Sequence, residues 1–195
     1  AYDCGHPQVQ EAANLLIDSL IRNCNFYDAE RYADVTYGNL KDHKNGIDPE
    51  SEAIARGAYS FADAIFRKGG DLIKAERLAR EALSIRSRLY SPDNFRLAIC
   101  CSLLAKILMH QEKFKDVIKE LLERASAINT RHEGPDGANT AVSNISLGFF
   151  HRQLADLNTE VALQKPFLLQ AKAYFEEAVR NQTKIFSPTH PSAQH

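Results

Sequence analysis

Histidines and cysteines are the side chains here that are best suited to bind a metal or to act as nucleophiles. The cysteines Cys4, Cys24, Cys100 and Cys101 form no C-x-x-C pair, and the seven histidines form no H-E-x-x-H or H-x-x-x-H arrangement. Adjacent Cys100 and Cys101 are poor candidates for bonding each other. We therefore expect no metal, four reduced cysteines and a reducing cytoplasmic compartment.

Acidic and glycine residues give no catalytic pattern either. The pairs Glu120–Glu123 and Glu176–Glu177 lie beside Lys or Arg in predicted helices, which is typical of solvated surface charge. No G-x-G-x-x-G or G-x-x-x-x-G-K-[ST] motif occurs. We expect no enzymatic activity and no cofactor. The two N-x-S/T sequons, at Asn144 and Asn181, fall in predicted helices, so we expect them to be unmodified.

The charge balance excludes other classes of partner. Lys plus Arg number 24 and Asp plus Glu 25, giving a net charge of −1 and no long-range attraction for nucleic acid. No apolar run reaches the ~18 residues that span a bilayer, so no membrane insertion is expected.

An octet rich in Gly, Pro, Asp and Ser recurs along the chain and organises it. Its copies are residues 3–10, 46–53, 91–98, 134–141 and 187–194, with starts separated by 43, 45, 43 and 53 residues. Each copy reads as a turn that leads into a helix, with Pro in the first helical turn and Asp or Ser as the cap. The octets divide the chain into units 3–45, 46–90, 91–133 and 134–186, and a fifth unit begins over 187–195.

Two helices are predicted between successive octets. The first helices are predicted at about 7–23, 49–68, 92–111 and 135–157, and the second at about 26–42, 71–90, 114–131 and 166–186. Small residues mark close helix approach: Ala62, Ala105 and Gly148 in the first helices, with Ile17 as the exception, and Ala29, Ala75, Val117 and Ala171 in the second. The chain is predicted to be all-α.

These features resemble tetratricopeptide repeats of the long-helix subtype found in kinesin light chains and nephrocystin-like proteins. The segments FYDAERYADVTYGNL (26–40) and LIKAERLAREALSIRSRLY (72–90) carry the resemblance, together with the ~43-residue period. The resemblance implies a single array over residues 1–195, a right-handed α-solenoid of about four antiparallel hairpins. Because both ends lack complete neighbouring units, we expect the array to continue in a longer protein.

In this family the first helices line a concave groove that holds a peptide or protein partner. The residues expected to line the groove here are Asn14, Asp18, Arg22, Arg56, Tyr59, Ser60, Asp63, Arg67, Ser102, Lys106, His110, Ser146, Phe149 and Arg152. We expect the basic residues among them to recognise acidic side chains, and the aromatic residues to provide apolar contact. A solvated polar helix face remains the alternative interpretation for each residue.

The resemblance also indicates which of the family's known classes of partner fit this chain. Chaperone-binding members hold a C-terminal carboxylate with Asn and Lys or Arg, but the matching positions here are Leu15, Ser60, Leu103 and Ser146. Only Asn14 matches the recurring groove asparagines of kinesin light chains. A chaperone tail is therefore an unexpected ligand, and kinesin-type cargo binding is weakly supported.

An insertion of about ten residues near 156–165 interrupts the fourth unit. It is expected to extend the first helix or to form a long loop that ends at Pro166. It is either a neutral extension, or its apolar residues Leu157, Val161 and Leu163 cover the groove or contact a neighbour. The predicted function is a scaffold or adaptor. The alternative is a structural segment that self-associates through its ends or serves a signalling or enzymatic domain of a larger protein.

Overall fold

The computed structural model describes residues 6–42, 47–112 and 115–185, and within them the chain forms eight α-helices and no strand. The helices are α1 (Pro7–Arg22), α2 (Phe26–Lys41), α3 (Glu52–Lys68), α4 (Leu72–Leu89), α5 (Phe95–His110), α6 (Lys115–Glu133), α7 (Ala138–Asp156) and α8 (Val161–Ile185). The all-α prediction is confirmed. Cys4 and the fifth octet lie outside the described residues.

The chain divides into two compact units, residues 1–92 and 93–195. In the first unit each helix packs against the next, and α1 also contacts α3. In the second unit α5 to α8 repeat this arrangement, and α5 also contacts α7. Among the described residues, no helix combines the length and the apolar character that crossing a membrane requires.

The recurring octet folds as a turn followed by a helix cap, but its prolines lie earlier than predicted. Pro49, Pro92 and Pro135 each stand three residues before a helix begins, and only Pro7 is in a first helical turn. Ser51 N donates to Asp48 O at 3.0 Å, which closes a turn with Pro49 at its second position, where its fixed φ is favourable. The cap is then the fourth residue of the turn, such as Ser51 for α3 and Asn94 for α5.

The second helices bury equivalent stripes, and one predicted register is corrected. In α4 the buried apolar residues are Ala75, Leu78, Ala79, Ala82 and Ile85; in α6, Ile118, Leu121, Leu122, Ala125 and Ile128 lie 43 residues later. Ile118, rather than Val117, is therefore the counterpart of Ala75. Val117 is exposed because the helix turns it away from the core.

The small residues predicted in the first helices are buried, and one of them is matched to a large neighbour. Ala62, Ala105 and Gly148 are all inaccessible. A Cβ at Gly148 would lie 2.6 Å from the nearest ring carbon of Phe175. The absent side chain at Gly148 therefore makes the room that the Phe175 ring occupies between α7 and α8.

A buried cation joins α3 to α4 in the first unit. The Arg86 side chain is almost fully buried, and its Nη2 donates to Glu52 Oε1 at 2.9 Å. The guanidinium also lies 5.4 Å from the centre of the Tyr59 ring. This arrangement compensates the desolvated charge with a carboxylate and an aromatic face.

The insertion in the fourth unit continues the second helix rather than the first. The helix α7 ends at Asp156 and α8 begins at Val161, so residues 161–165 are helical ahead of Pro166, and neither predicted form of the insertion is correct. Asn158 Nδ2 donates to Leu154 O at 2.5 Å, and Gln164 Nε2 donates to Asn158 O at 2.6 Å. These two bonds fix the connection, while Leu157, Val161 and Leu163 stay exposed and do not cover a groove.

Candidate functional site

The predicted groove residues of the first unit lie on α1 and α3, which contact each other. Asn14, Asp18 and Arg22 are spaced four residues apart on α1 and share one face. Arg56 Nη1 of α3 donates to Glu11 Oε2 of α1 at 2.5 Å, and this ion pair joins the two helices. Arg56 thus has Glu11 as its partner, a residue that was not among the predicted groove residues.

Asp18 is the least compensated charge on this face. Its carboxylate is half-buried and accepts no hydrogen bond among the described residues. Burial raises its pKa above the ordinary value of 3.8, and the positive charges of Arg56 and Arg22 oppose this effect without cancelling it. Asp63 and Glu11 add smaller repulsions that act in the same direction as burial.

The arginines of this face differ in whether they already pair with a carboxylate of the chain. Arg67 Nε donates to both carboxylate oxygens of Asp63, at 3.0 and 2.9 Å. Arg22 is exposed and makes no ion pair with any described residue. Arg22 is therefore the guanidinium on α1 and α3 that is best placed to receive an acidic group, whereas Arg67 must first give up Asp63.

Three predicted groove residues are buried instead of exposed. The side chains of Asn14, Ser60 and Ser146 are only 4 to 5% accessible. Ser146 Oγ donates to Val142 O of its own helix at 3.0 Å, whereas no described residue bonds to the Oδ1 atom of Asn14. Tyr59 is half-buried and packs against Arg86, so the exposed aromatic contact predicted for this face is reduced.

In the second unit the corresponding face is formed by α5 and α7. Ser102, Lys106 and His110 follow one line along α5; the first two are half-buried and His110 is exposed. Lys106 and His110 both have interactions with other residues. Gln153 Nε2 of α7 donates to Met109 O at 2.8 Å and thereby fixes α7 against the end of α5.

The aromatic group of this unit is exposed. Phe149 is 43% accessible, its ring meets Phe175 edge to face with centres 5.3 Å apart, and the Arg152 guanidinium lies 5.1 Å from its ring centre. Beside it is a shallow, mainly apolar cavity of about 500 Å³ that includes Leu168 and Val179 of α8. These α8 residues are not among the predicted groove residues, which all lie on first helices, although their apolar spacing on one helix face is visible in the sequence.

Metal ligands and reactive thiols are the next groups to consider. No group of three His, Cys, Asp or Glu residues that could hold a metal occurs in the part of the chain that is described. Cys100 and Cys101 are buried free thiols, and burial raises the pKa of Cys101 to about 11. The two faces present charged, aromatic and hydrogen-bonding side chains.

Comparison with solved structures places the fold. Two crystal structures of the nearly identical TPR-like repeats of a Podosopora anserina protein described as a kinesin light chain match at TM-scores of 0.65 and 0.63, with 15% and 14% identity. They cover 90% and 93% of this chain and 79% of each of theirs. BtubC (BKLC) from P. vanneervenii matches at a TM-score of 0.59 with 16% identity, over 92% of this chain and 81% of its own. No family model and no curated protein sequence matches.

Proposed function

Because the fold is that of TPR-like solenoid repeats, we propose that this chain is a non-enzymatic scaffold of the cytoplasm. It binds a peptide or protein partner along the exposed faces of its first helices. The observation that carries this proposal is Asp18, a half-buried carboxylate that lacks a hydrogen-bond partner among the described residues. Such a group costs folding free energy and is supplied with donors when a partner binds.

The chemistry of the two faces indicates what the partner carries. On α1 and α3, Asp18 accepts from a backbone N–H or a cationic side chain, and Arg22 pairs with an acidic side chain. On α7, the Phe149 ring under the Arg152 guanidinium accommodates an apolar or aromatic side chain. The favoured ligand of the first unit is therefore a peptide of mixed charge, and that of the second unit is a peptide with an apolar anchor.

Peptide selection tests this proposal. Peptides selected from a displayed library on the wild-type protein are labelled, and their affinities are measured by fluorescence anisotropy. We expect Asp18→Asn to weaken the mixed-charge class about tenfold, which is the effect of losing a charge-assisted hydrogen bond. Phe149→Ala should weaken the apolar class by a similar factor.

The matched control is Asp34→Asn. This change removes an exposed carboxylate from α2, 3.6 Å from Lys74, without touching either face. If every selected peptide binds the Asp18 and Phe149 variants as tightly as it binds the Asp34 variant and the wild type, the first-helix faces are not the binding surface and the proposal is wrong.

A second candidate function is self-association, and the exposed apolar residues of α8 favour it. Val179 is 63% accessible, and together with Leu168 it borders the shallow apolar cavity. Within each unit, a following first helix packs on the second helix of the hairpin before it. A helix from a second copy of the chain is the occupant that this surface would accept in the same way.

Sedimentation velocity separates the two functions. If α8 mediates self-association, the protein forms a dimer whose population rises with concentration, and Leu168→Glu with Val179→Glu returns it to a monomer. A wild-type protein that stays monomeric across the concentration series excludes this candidate and leaves the peptide scaffold unaffected.

A further inference from the structure

A second polar site lies on a different face of α7 from Phe149. A cavity of about 460 Å³ is formed by Lys119 and Glu123 of α6, Asn144 and His151 of α7, and Gln170, Ala173, Tyr174 and Glu177 of α8. Its volume is within the ~300 to 1,000 Å³ of typical ligand sites. All three helices belong to the second unit.

The ring of the histidine in this cavity is packed between aromatic rings but makes no hydrogen bond with any described residue. The ring of His151 is stacked on Tyr174, with centres 5.5 Å and planes 19° apart, and also on Phe167 at 6.4 Å. The side chain is 7% accessible, and its buried Nδ1 atom has no partner among the residues that the structure describes. Burial lowers the pKa of His151, so the ring is neutral near pH 7 and has one donor and one acceptor nitrogen.

Asn144 lies two helical turns before His151 on α7 and lines the same cavity. Its side chain is 8% accessible, and its amide makes no hydrogen bond with any described residue. An amide offers two donors and an acceptor, so Asn144 can pair with a ligand that both donates and accepts. Together with the His151 ring it gives this cavity two neutral hydrogen-bonding groups.

The ionised groups at the cavity are already matched. Lys119 Nζ lies 3.8 Å from Glu123 Oε1, and Glu177 pairs with Arg180. A charged ligand therefore finds no unpaired opposite charge among these residues, whereas a neutral group that both donates and accepts finds His151, Asn144 and Gln170. The flat Tyr174 ring adds a stacking surface.

We propose that this cavity binds a neutral carboxamide, the side chain of Asn or Gln in a partner peptide. The carboxamide hydrogen-bonds with His151 and Asn144, and Gln170 closes over it from α8. The site uses none of the residues proposed for the first-helix faces, so either proposal can fail without the other.

Histidine ring nitrogen NMR tests the site directly. The full chain is labelled with 15N-histidine and titrated with the peptide acetyl-Gly-Gln-Gly-N-methylamide, in which the Gln side chain is the single primary carboxamide. The comparison probes are the same peptide with Met, which is apolar and of similar shape, and with Glu, which is charged. We expect the Gln peptide to shift the His151 ring nitrogens in a saturable way, while the nitrogens of His132, which bonds Asp93 O at 2.6 Å, stay unchanged.

Two variants complete the test. His151→Phe keeps an aromatic ring in the stack and should abolish binding. Gln170→Ala changes an exposed residue, cannot disturb the core, and should weaken binding about fivefold, the effect of one hydrogen bond. The proposal is overturned if the Gln peptide leaves His151 unshifted, if the Met or Glu peptide binds as tightly, or if the Gln170 variant binds like wild type.

Discussion

The close approach of α7 to α8 at Gly148 gives the most quantitative prediction. In Gly148→Ala the new Cβ lies 2.6, 2.8 and 2.9 Å from three ring carbons of Phe175, against the ~3.5 to 4.0 Å of a favourable carbon contact. The ring has to move by about 1 Å, and overpacking of this kind costs about 1 to 3 kcal/mol. Ala is favoured over Gly within a helix by about 1 kcal/mol, so we expect a net destabilisation of up to about 2 kcal/mol.

The sign of this effect should depend on residue 175. In a Phe175→Leu background the ring is gone, so Gly148→Ala keeps only its helix-forming advantage and stabilises the protein by up to about 1 kcal/mol. The coupling free energy between the two positions is then about 1 to 3 kcal/mol. Gly57→Ala is the matched control, because its Cβ would closely approach only Leu40 Cδ1, the terminal methyl of a flexible but buried side chain, at 2.8 Å. It should destabilise the fold less than Gly148→Ala does.

Urea denaturation followed by far-UV circular dichroism measures all four members of this cycle and the control. A coupling free energy below about 0.5 kcal/mol, or the same sign for Gly148→Ala in both backgrounds, would refute the reasoning that the absent side chain at Gly148 makes room for the ring.

Three further predictions concern charges and thiols. Glu52→Leu should destabilise the fold by about 3 kcal/mol because it removes the carboxylate that compensates the buried Arg86 charge, and adding Arg86→Met should recover most of this in the same denaturation assay. Equal stability of the single and double variants contradicts it. The pKa of Asp18 is raised in the folded state, so its charge destabilises the fold above that pKa. Asp18→Asn should therefore raise Tm at pH 7, and the gain in Tm should vanish as the pH falls towards 3.8. A gain in Tm that does not depend on pH counts against this cause. Iodoacetamide should modify exposed Cys24 in the native protein but spare Cys101, as peptide mass spectrometry will show, and rapid labelling of both thiols disagrees with the described burial.

The sequence predicted the helices well because octet turns and apolar periodicity both mark them. It failed where periodicity is ambiguous. Val117 and Ile118 are adjacent apolar residues and both satisfy a 3.6-residue stripe, and only the exact 43-residue offset from Ala75 identifies Ile118. The start of α8 was missed because Pro166 was expected to begin a helix, whereas Asn158 and Gln164 stabilise an earlier start.

The candidate site was predicted less completely, since spacing along one helix says little about contacts between helices. Asp63 and Arg67 are four residues apart, so their pairing could have been anticipated. The pairing of Arg56 with Glu11, and the burial of Asn14, depend on how closely α1 and α3 approach, which composition does not reveal.

The burial of the two sequon asparagines leaves little room for a glycan on the folded chain. Asn181 is fully inaccessible and its Nδ2 donates to Pro135 O at 2.8 Å, so α8 meets the 134–137 turn through the atom to which a sugar would be joined. A glycan joined to this nitrogen would block the docking of α8 on the turn, so we expect Asn181 of the folded chain to carry none.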